Sequence, residues 1–227
     1  MFGMTDENDF FSGEDAIISL RSTGYKNTAT AIGELIDNSI QANAKEVHIV
    51  VTTKINQGSR KTERVDQIAI LDNGSGMDEN LLRKSLKLGF GTYRNANNGM
   101  GKFGMGLPQA SISQGKRVDV WSWTSGYYKT SKHVFIDLND KDWMEKHVIE
   151  KPDEKQRPDE YVDFLKDFKS GTVVKWSHLD NVDWKKPKTL FQRIETLIGR
   201  MYRYWLLENK VKIVLDLLNS DGKKGLC

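Results

Sequence analysis

Cysteine is nearly missing from this chain. The only one is Cys227, so no internal disulfide and no Cys-based metal site can form. Histidine is scarce as well: His48, His133, His147 and His178 are dispersed and show no ligand spacing. A dominant charge sign is missing too. With 34 basic and 31 acidic residues the net charge is +3, and the bases are scattered among acids. That is too little to argue nucleic-acid binding on charge. No apolar run is long enough to cross a membrane. Met1 to Asp15 is acidic and aromatic, without the basic-then-apolar pattern of a leader. A cytoplasmic protein is the expectation, and no internal repeat or low-complexity tract modifies it.

The 227 residues suit one full domain with part of a second. Residues 1–15 read as an arm with Phe2, Phe10 and Phe11 as anchors. A helix is expected over about Asn27 to Ala42, capped by Asn27 or Thr28. Ala29, Ile32, Leu35, Ile36 and Ile40 form its apolar stripe, and Glu34, Asp37, Asn38 and Gln41 share another face. Such an acid-rich face is ordinarily just solvated. This one pairs a carboxylate with an amide one turn apart, with no lysine or arginine to neutralise them. Strands follow at Val47–Thr53 and Val65–Leu71 around a turn at residues 56–59. The second strand runs into Asp72-Asn73-Gly74-Ser75-Gly76-Met77-Asp78. This is turn chemistry, and also a place where a fixed acid and spaced glycines leave room for a flat group. A short helix is expected over Asp78–Leu88 and another over Met105–Gln114. A hairpin follows at 117–138 around Ser125-Gly126, then a charged excursion from the sheet at 139–168. A strand at Ser170–Trp176, a long amphipathic helix at Lys188–Glu208 and a strand at Val211–Leu217 complete the pattern. It predicts an α/β (α+β) two-layer sandwich: a mixed, mostly antiparallel sheet with helices on one face.

Between a polar run at 89–98 and the helix at 105 lies Asn98-Gly99-Met100-Gly101-Lys102-Phe103-Gly104-Met105-Gly106. Glycines let backbone N–H groups approach an anion, and a helix N-terminus and Lys102 add positive charge. Taken alone, a flexible surface loop with a chance lysine explains it better. Gly99, Gly101 and Gly104 match the dinucleotide fingerprint in letters only, because no strand precedes them. A P-loop fails because Phe103 follows Lys102. A protein-kinase loop fails for want of a catalytic His-Arg-Asp.

Taken together, Glu34-Leu35-Ile36-Asp37-Asn38, Asp72-Asn73-Gly74-Ser75-Gly76-Met77, Gly101-Lys102-Phe103-Gly104-Met105-Gly106 and Gly171-Thr172 resemble, in order and spacing, the motifs of the GHKL ATPase superfamily. That group includes gyrase B subunits, ninety-kilodalton heat-shock chaperones, sensor histidine kinases and MutL. The helix and lid motifs look most like the MORC branch and its bacterial relatives.

The resemblance implies a Bergerat-type ATP-binding fold. Residues 16–185 would be the ATPase domain, and 186–227 the helix and first strand of an incomplete transducer-like domain. Glu34 would be the general base, and Asn38 would hold Mg²⁺. Asp72 would accept from the adenine amino group, with Gly74, Gly76 and Met77 around the base and Thr172 behind it. Lys102, Phe103, Gly104, Met105 and Gly106 would hold the phosphates. Gln41 departs from the acid often found at that position. Slow hydrolysis driving lid closure and a homodimer clamp is implied, with DNA reached through regions outside this stretch. A lysine beyond Cys227 would complete the γ-phosphate site, so the stretch alone would turn over poorly. A chaperone-type or sensor module is the alternative. A histidine-kinase catalytic domain is disfavoured, because such kinases usually carry asparagine where Glu34 stands. If 89–104 is a lid, amide hydrogen exchange there should slow when ATP is added; unchanged exchange at saturating ATP would refute it.

Overall fold

The computed structural model describes residues 13–56, 61–88, 106–124 and 130–219. The arm up to residue 12 and the turns expected at 56–59 and 125–126 lie largely outside this set. Helix α1, Gly13–Thr23, was not anticipated from the sequence. It buries Ile17 and is tied down by Arg21, whose Nε donates to the Ile112 carbonyl at 2.9 Å.

Helix α2, Thr28–Gln41, starts at Asn27. The Asn27 side chain accepts from the Thr30 N–H at 2.9 Å, and Thr30 Oγ1 accepts from the Asn27 N–H at 3.1 Å. This reciprocal box satisfies two otherwise orphaned donors. Asp183 adds an outside clamp, its carboxylate accepting from the Thr28 N–H at 2.8 Å. The expected stripe is the buried face, with Ala29, Ile32, Leu35 and Ile36 at 0–2% exposure.

The strands are β1 (Glu46–Asn56), β2 (Thr62–Asp72), β3 (Gly115–Trp123), β4 (Thr130–Asp137), β5 (Asp153–Gln156), β6 (Gly171–Leu179) and β7 (Lys212–Leu218). They form a seven-stranded sheet in the order β5-β4-β3-β6-β2-β1-β7. Every pairing is antiparallel except β1 with β7, so the mixed, mostly antiparallel sheet is as expected.

Alternation sorts the side chains onto two faces. Ile49, Val51, Ile68, Ile70, Val118, Val120 and Trp176 face α2 and α7 (Pro187–Met201), whose Leu190 and Ile194 are fully buried. Helices α3 (Glu79–Ser85), α4 (Gly106–Gln114) and α5 (Lys141–Lys146) complete the set before the reverse face. That face is covered as well. Val50, Leu71, Trp121, Trp123 and Val173 pack on Tyr161, Phe164, Leu165 and Phe168, from a 3-10 turn at Asp159–Tyr161, helix α6 (Val162–Leu165) and the residues just after it.

Two expectations need correcting. The segment 139–168 is only partly an excursion from the sheet: α5 and α6 lie off it, but between them β5 pairs with β4 at its edge. Its charged residues hide a strand because both faces of this edge are exposed. The long helix at 188–208 breaks at Tyr202 (φ −103°, ψ 15°), giving α7 and a short α8, Arg203–Leu207. Tyr202 is 4% exposed, and its hydroxyl is drawn onto α2. Residues 186–219 thus seat a helix on the shared core and a strand on the shared sheet. Replacing Ile194 with alanine should cost about 2–5 kcal/mol in urea unfolding. A loss well under 1 kcal/mol would mean that α7 is only loosely attached.

Candidate functional site

Three elements meet around one cavity of about 230 Å³. Helix α2 supplies Glu34, Asn38, Ser39 and Gln41; the end of β2 and its following turn supply Asp72, Gly76 and Met77; β6 supplies Thr172. Gly106, at the start of α4, closes the fourth side. The motifs are far apart in sequence, and the antiparallel pairing of β2 with β6 sets Asp72 directly opposite Thr172.

Asp72 is 6% exposed and both its oxygens are engaged. The Gly74 N–H donates to Oδ1 at 2.8 Å, and the Thr172 backbone also bonds the carboxylate. Ser39 Oγ lies 3.0 Å from Oδ2 and 3.0 Å from the Leu35 carbonyl. Ser39 has one proton for two acceptors, so an ionised Asp72 and Leu35 compete for it, whereas a protonated Asp72 supplies its own. Burial pushes the Asp72 carboxyl up to about 6, against the hydrogen bonds from Gly74, Ser39 and Thr172. Gly74 does not line the cavity. It stands behind Asp72 against Ala42, so its part is to orient the carboxylate.

Gly76 has φ +69°, and a Cβ there would strike the Trp123 carbonyl. This turn therefore requires glycine. Met77 is fixed by its N–H, which donates to Ser122 Oγ at 2.8 Å. Ser122 in turn sits 3.0 Å from Thr172 Oγ1 and donates to the Gly171 carbonyl at 3.0 Å. Ser122 thereby ties the turn to β3 and β6, yet nothing in the sequence distinguished it from any other strand serine.

At the other end, a Cβ on Gly106 would collide with the Glu34 carboxylate. The side chain of Glu34 lies directly on the first residue of α4. Burial, then the charge of Asp37, push Glu34 above the usual carboxylate range, while a hydrogen bond from Tyr25 opposes them. Asp37 was expected on the same face as Glu34. It turns instead toward Tyr202, whose hydroxyl lies 2.7 Å from Asp37 Oδ1. Sequence reasoning found neither tyrosine, since each lies outside the motifs.

Asn38 Nδ2 is buried without a hydrogen-bond partner among the described residues. Among the described residues no group of three or more His, Cys, Asp or Glu converges to hold a metal. The donor set that α2 presents to the cavity is thus the Asn38 amide, through its oxygen, beside the single carboxylate of Glu34. It fits a hard cation that draws most of its ligands from phosphates and water, as Mg²⁺ does, and not a protein-caged metal. Lys102, Phe103, Gly104 and Met105, with the lid proposed at 89–104, lie outside the described residues.

Residues 25–172 match the model of the histidine kinase-, DNA gyrase B- and HSP90-like ATPase family, 148 of the chain's 227 residues. Two curated relatives from Arabidopsis thaliana are similar. Protein MICRORCHIDIA 5 is 29% identical over 106 residues, which is 46% of this chain. Protein MICRORCHIDIA 1 is 28% identical over 113 residues, 50% of this chain. Those matches span 14% and 17% of the relatives' own lengths. A solved structure, the N-terminal domain of a DNA repair protein, is similar in fold with a TM-score of 0.58. At 21% identity it covers 93% of this chain and 55% of that one.

The buried carboxylate gives a stability signature. Asp72 titrates at about 6 when folded against 3.8 as a free side chain, so the folded state binds more protons in between. Its contribution therefore falls as pH rises across that window and levels off above it. Urea unfolding of the parent and of Asp72→Asn at several pH values should give curves that converge in this sense; parallel curves would contradict it.

Proposed function

We infer that this chain, which belongs to the histidine kinase-, DNA gyrase B- and HSP90-like ATPase family, binds ATP in the cavity under α2 and hydrolyses it slowly. The observation that carries the reading is the pairing, in one cavity, of a buried carboxylate at a strand end with a second carboxylate one helical turn from an amide. Asp72 suits the adenine amino group, since an ionised carboxylate is an acceptor and that group a donor. Gly76 and Met77 would flank the base, and Thr172 would support it beside Ser122. Gly74 would hold Asp72 in place.

Glu34 would act at the opposite end. Its carboxylate takes a proton from water as the water oxygen attacks the γ-phosphorus. The bond to the β–γ bridging oxygen breaks, and ADP leaves with that electron pair. A base whose pKa is raised toward neutrality is better matched to this task. Asn38 would hold Mg²⁺, which supplies charge neutralisation to the phosphates. Gly106 and the N-terminus of α4 suit the phosphate chain, with Lys102, Phe103, Gly104 and Met105 completing the cradle.

The finer reading is a machine in which ATP orders residues 89–104 and the arm at 1–15, and two copies meet across them. Residues 16–185 would be the ATPase domain, and 186–227 would begin a transducer-like unit anchored on the same sheet. Similarity to the MICRORCHIDIA proteins supports a MORC-like assembly, and its client would be DNA. A cytoplasmic setting completes the proposal.

The test is Glu34→Gln. ATP should still bind while phosphate release falls by about 10²–10⁴-fold. The variant trapped with ATP and Mg²⁺ should sediment as a dimer. Hydrolysis at the parental rate would remove Glu34 as the base; a monomer under trapping conditions would remove the clamp.

A further inference from the structure

Two tyrosines from opposite ends of the described chain converge on α2 on either side of Glu34. Tyr25 comes from the link between α1 and α2. Its hydroxyl lies 3.5 Å from the Gly106 carbonyl and hydrogen-bonds the Glu34 carboxylate. Tyr202 comes from the break between α7 and α8. Its hydroxyl lies 2.8 Å from the Gly33 carbonyl and 2.7 Å from Asp37 Oδ1. Gly33 immediately precedes Glu34, and Asp37 lies one turn beyond it. Tyr202 therefore grips the helical step that carries the base, and Tyr25 grips the base itself. Met201, next to Tyr202, also packs toward Gly33: a Cβ built there would lie 3.2 Å from the Met201 methyl.

We propose that Tyr25 and Tyr202 are positioning residues for Glu34, the first through its hydroxyl on the carboxylate and the second through the backbone and flank of α2. This rests on the assignment of Glu34 as general base.

A general base must stand within hydrogen-bond reach of one water on a fixed line to the phosphorus. A glutamate has three side-chain torsions and leaves a helix surface in many directions. Gly106 offers no Cβ to wall it in, so contact alone does not select one rotamer. A phenol on a short link does select one: its single proton lies between the Glu34 carboxylate and the Gly106 carbonyl at 3.5 Å, and the charged acceptor is the stronger. The phenol leaves the other carboxylate oxygen to face the cavity.

The Tyr202 hydroxyl acts one level further out. Its one proton is shared between a carbonyl inside α2 and Asp37 Oδ1, which holds Asp37 away from the cavity and leaves Glu34 and Asn38 to line it. Tyr202 stands two turns of chain before β7. The position of the C-terminal helices is thereby linked to the base without any residue of theirs entering the cavity.

The experiment uses Tyr25→Phe and Tyr202→Phe, each a loss of one oxygen. ATP affinity should stay within about threefold of the parent, because neither hydroxyl lines the cavity. Turnover should fall about tenfold in Tyr25→Phe and less in Tyr202→Phe, a loss in kcat with KM nearly constant. In a Glu34→Gln background, Tyr25→Phe should cost nothing further, since residues acting through one group are not additive. A readout independent of turnover is the ¹³Cζ resonance of Tyr25, which should move in Glu34→Gln without nucleotide. Equal losses in both backgrounds, an ATP affinity that falls with kcat, or an unmoved Tyr25 resonance would overturn the proposal. Should Glu34→Gln itself hydrolyse at the parental rate, the base assignment fails instead, and the two failures are distinguishable.

Discussion

The carboxylate of Asp72 joins the parts of this molecule that matter to its site. It sits at the last residue of β2, opposite Thr172 on β6, and meets Ser39 from the buried side of α2. Helix, strand and neighbouring strand are thereby registered at one point. A carboxylate so placed is costly, because burial disfavours its charge and no described cation neutralises it. The structure offsets that cost only with neutral donors: the N–H groups of Gly74 and Thr172 and the Ser39 hydroxyl. Under the proposed function, a group kept at such expense at the wall of a cavity would be explained by what it accepts from the ligand.

The architecture around it follows from α2. Its apolar stripe must be buried, and burial on the sheet leaves Glu34 and Asn38 at the cavity mouth. The capping box at Asn27 and the Asp183 clamp fix where the helix begins, and so fix the phase of both faces. The reverse of the sheet carries its own aromatic layer, so the site-bearing sheet is supported on both sides.

What could be read in the chain was local. The Asn27 cap and the stripe at 29, 32, 35 and 36 are periodic signals, and they placed α2 within a residue or so at each end. Strands β1, β2, β3, β4 and β6 carried apolar residues on their faces and were visible for that reason. Strand β5, reading Asp153-Glu154-Lys155-Gln156, carries no apolar residue and was invisible. The break at Tyr202 depends on a hydroxyl reaching a helix 165 residues away, which no window of sequence contains. The same holds at the site. Glu34, Asn38, Asp72, Gly76, Met77, Gly106 and Thr172 meet in one cavity, but Gly74 stands behind it, and Tyr25, Ser39 and Ser122 emerge only when the chain is folded.

The turn at Gly76 has a consequence for how ligand preference could drift. There the wall is main chain pressed on main chain: a methyl on Gly76 would strike the Trp123 carbonyl, and one on Gly171 the carbonyl of Asp72. Mutation cannot pad such a wall, because every replacement adds atoms where none fit. Diversification at this end of the cavity is left to the few side chains that reach it, chiefly Asp72, Met77 and Thr172. The main-chain side of this end is thus frozen, and the charge it can offer rests on one acid, Asp72.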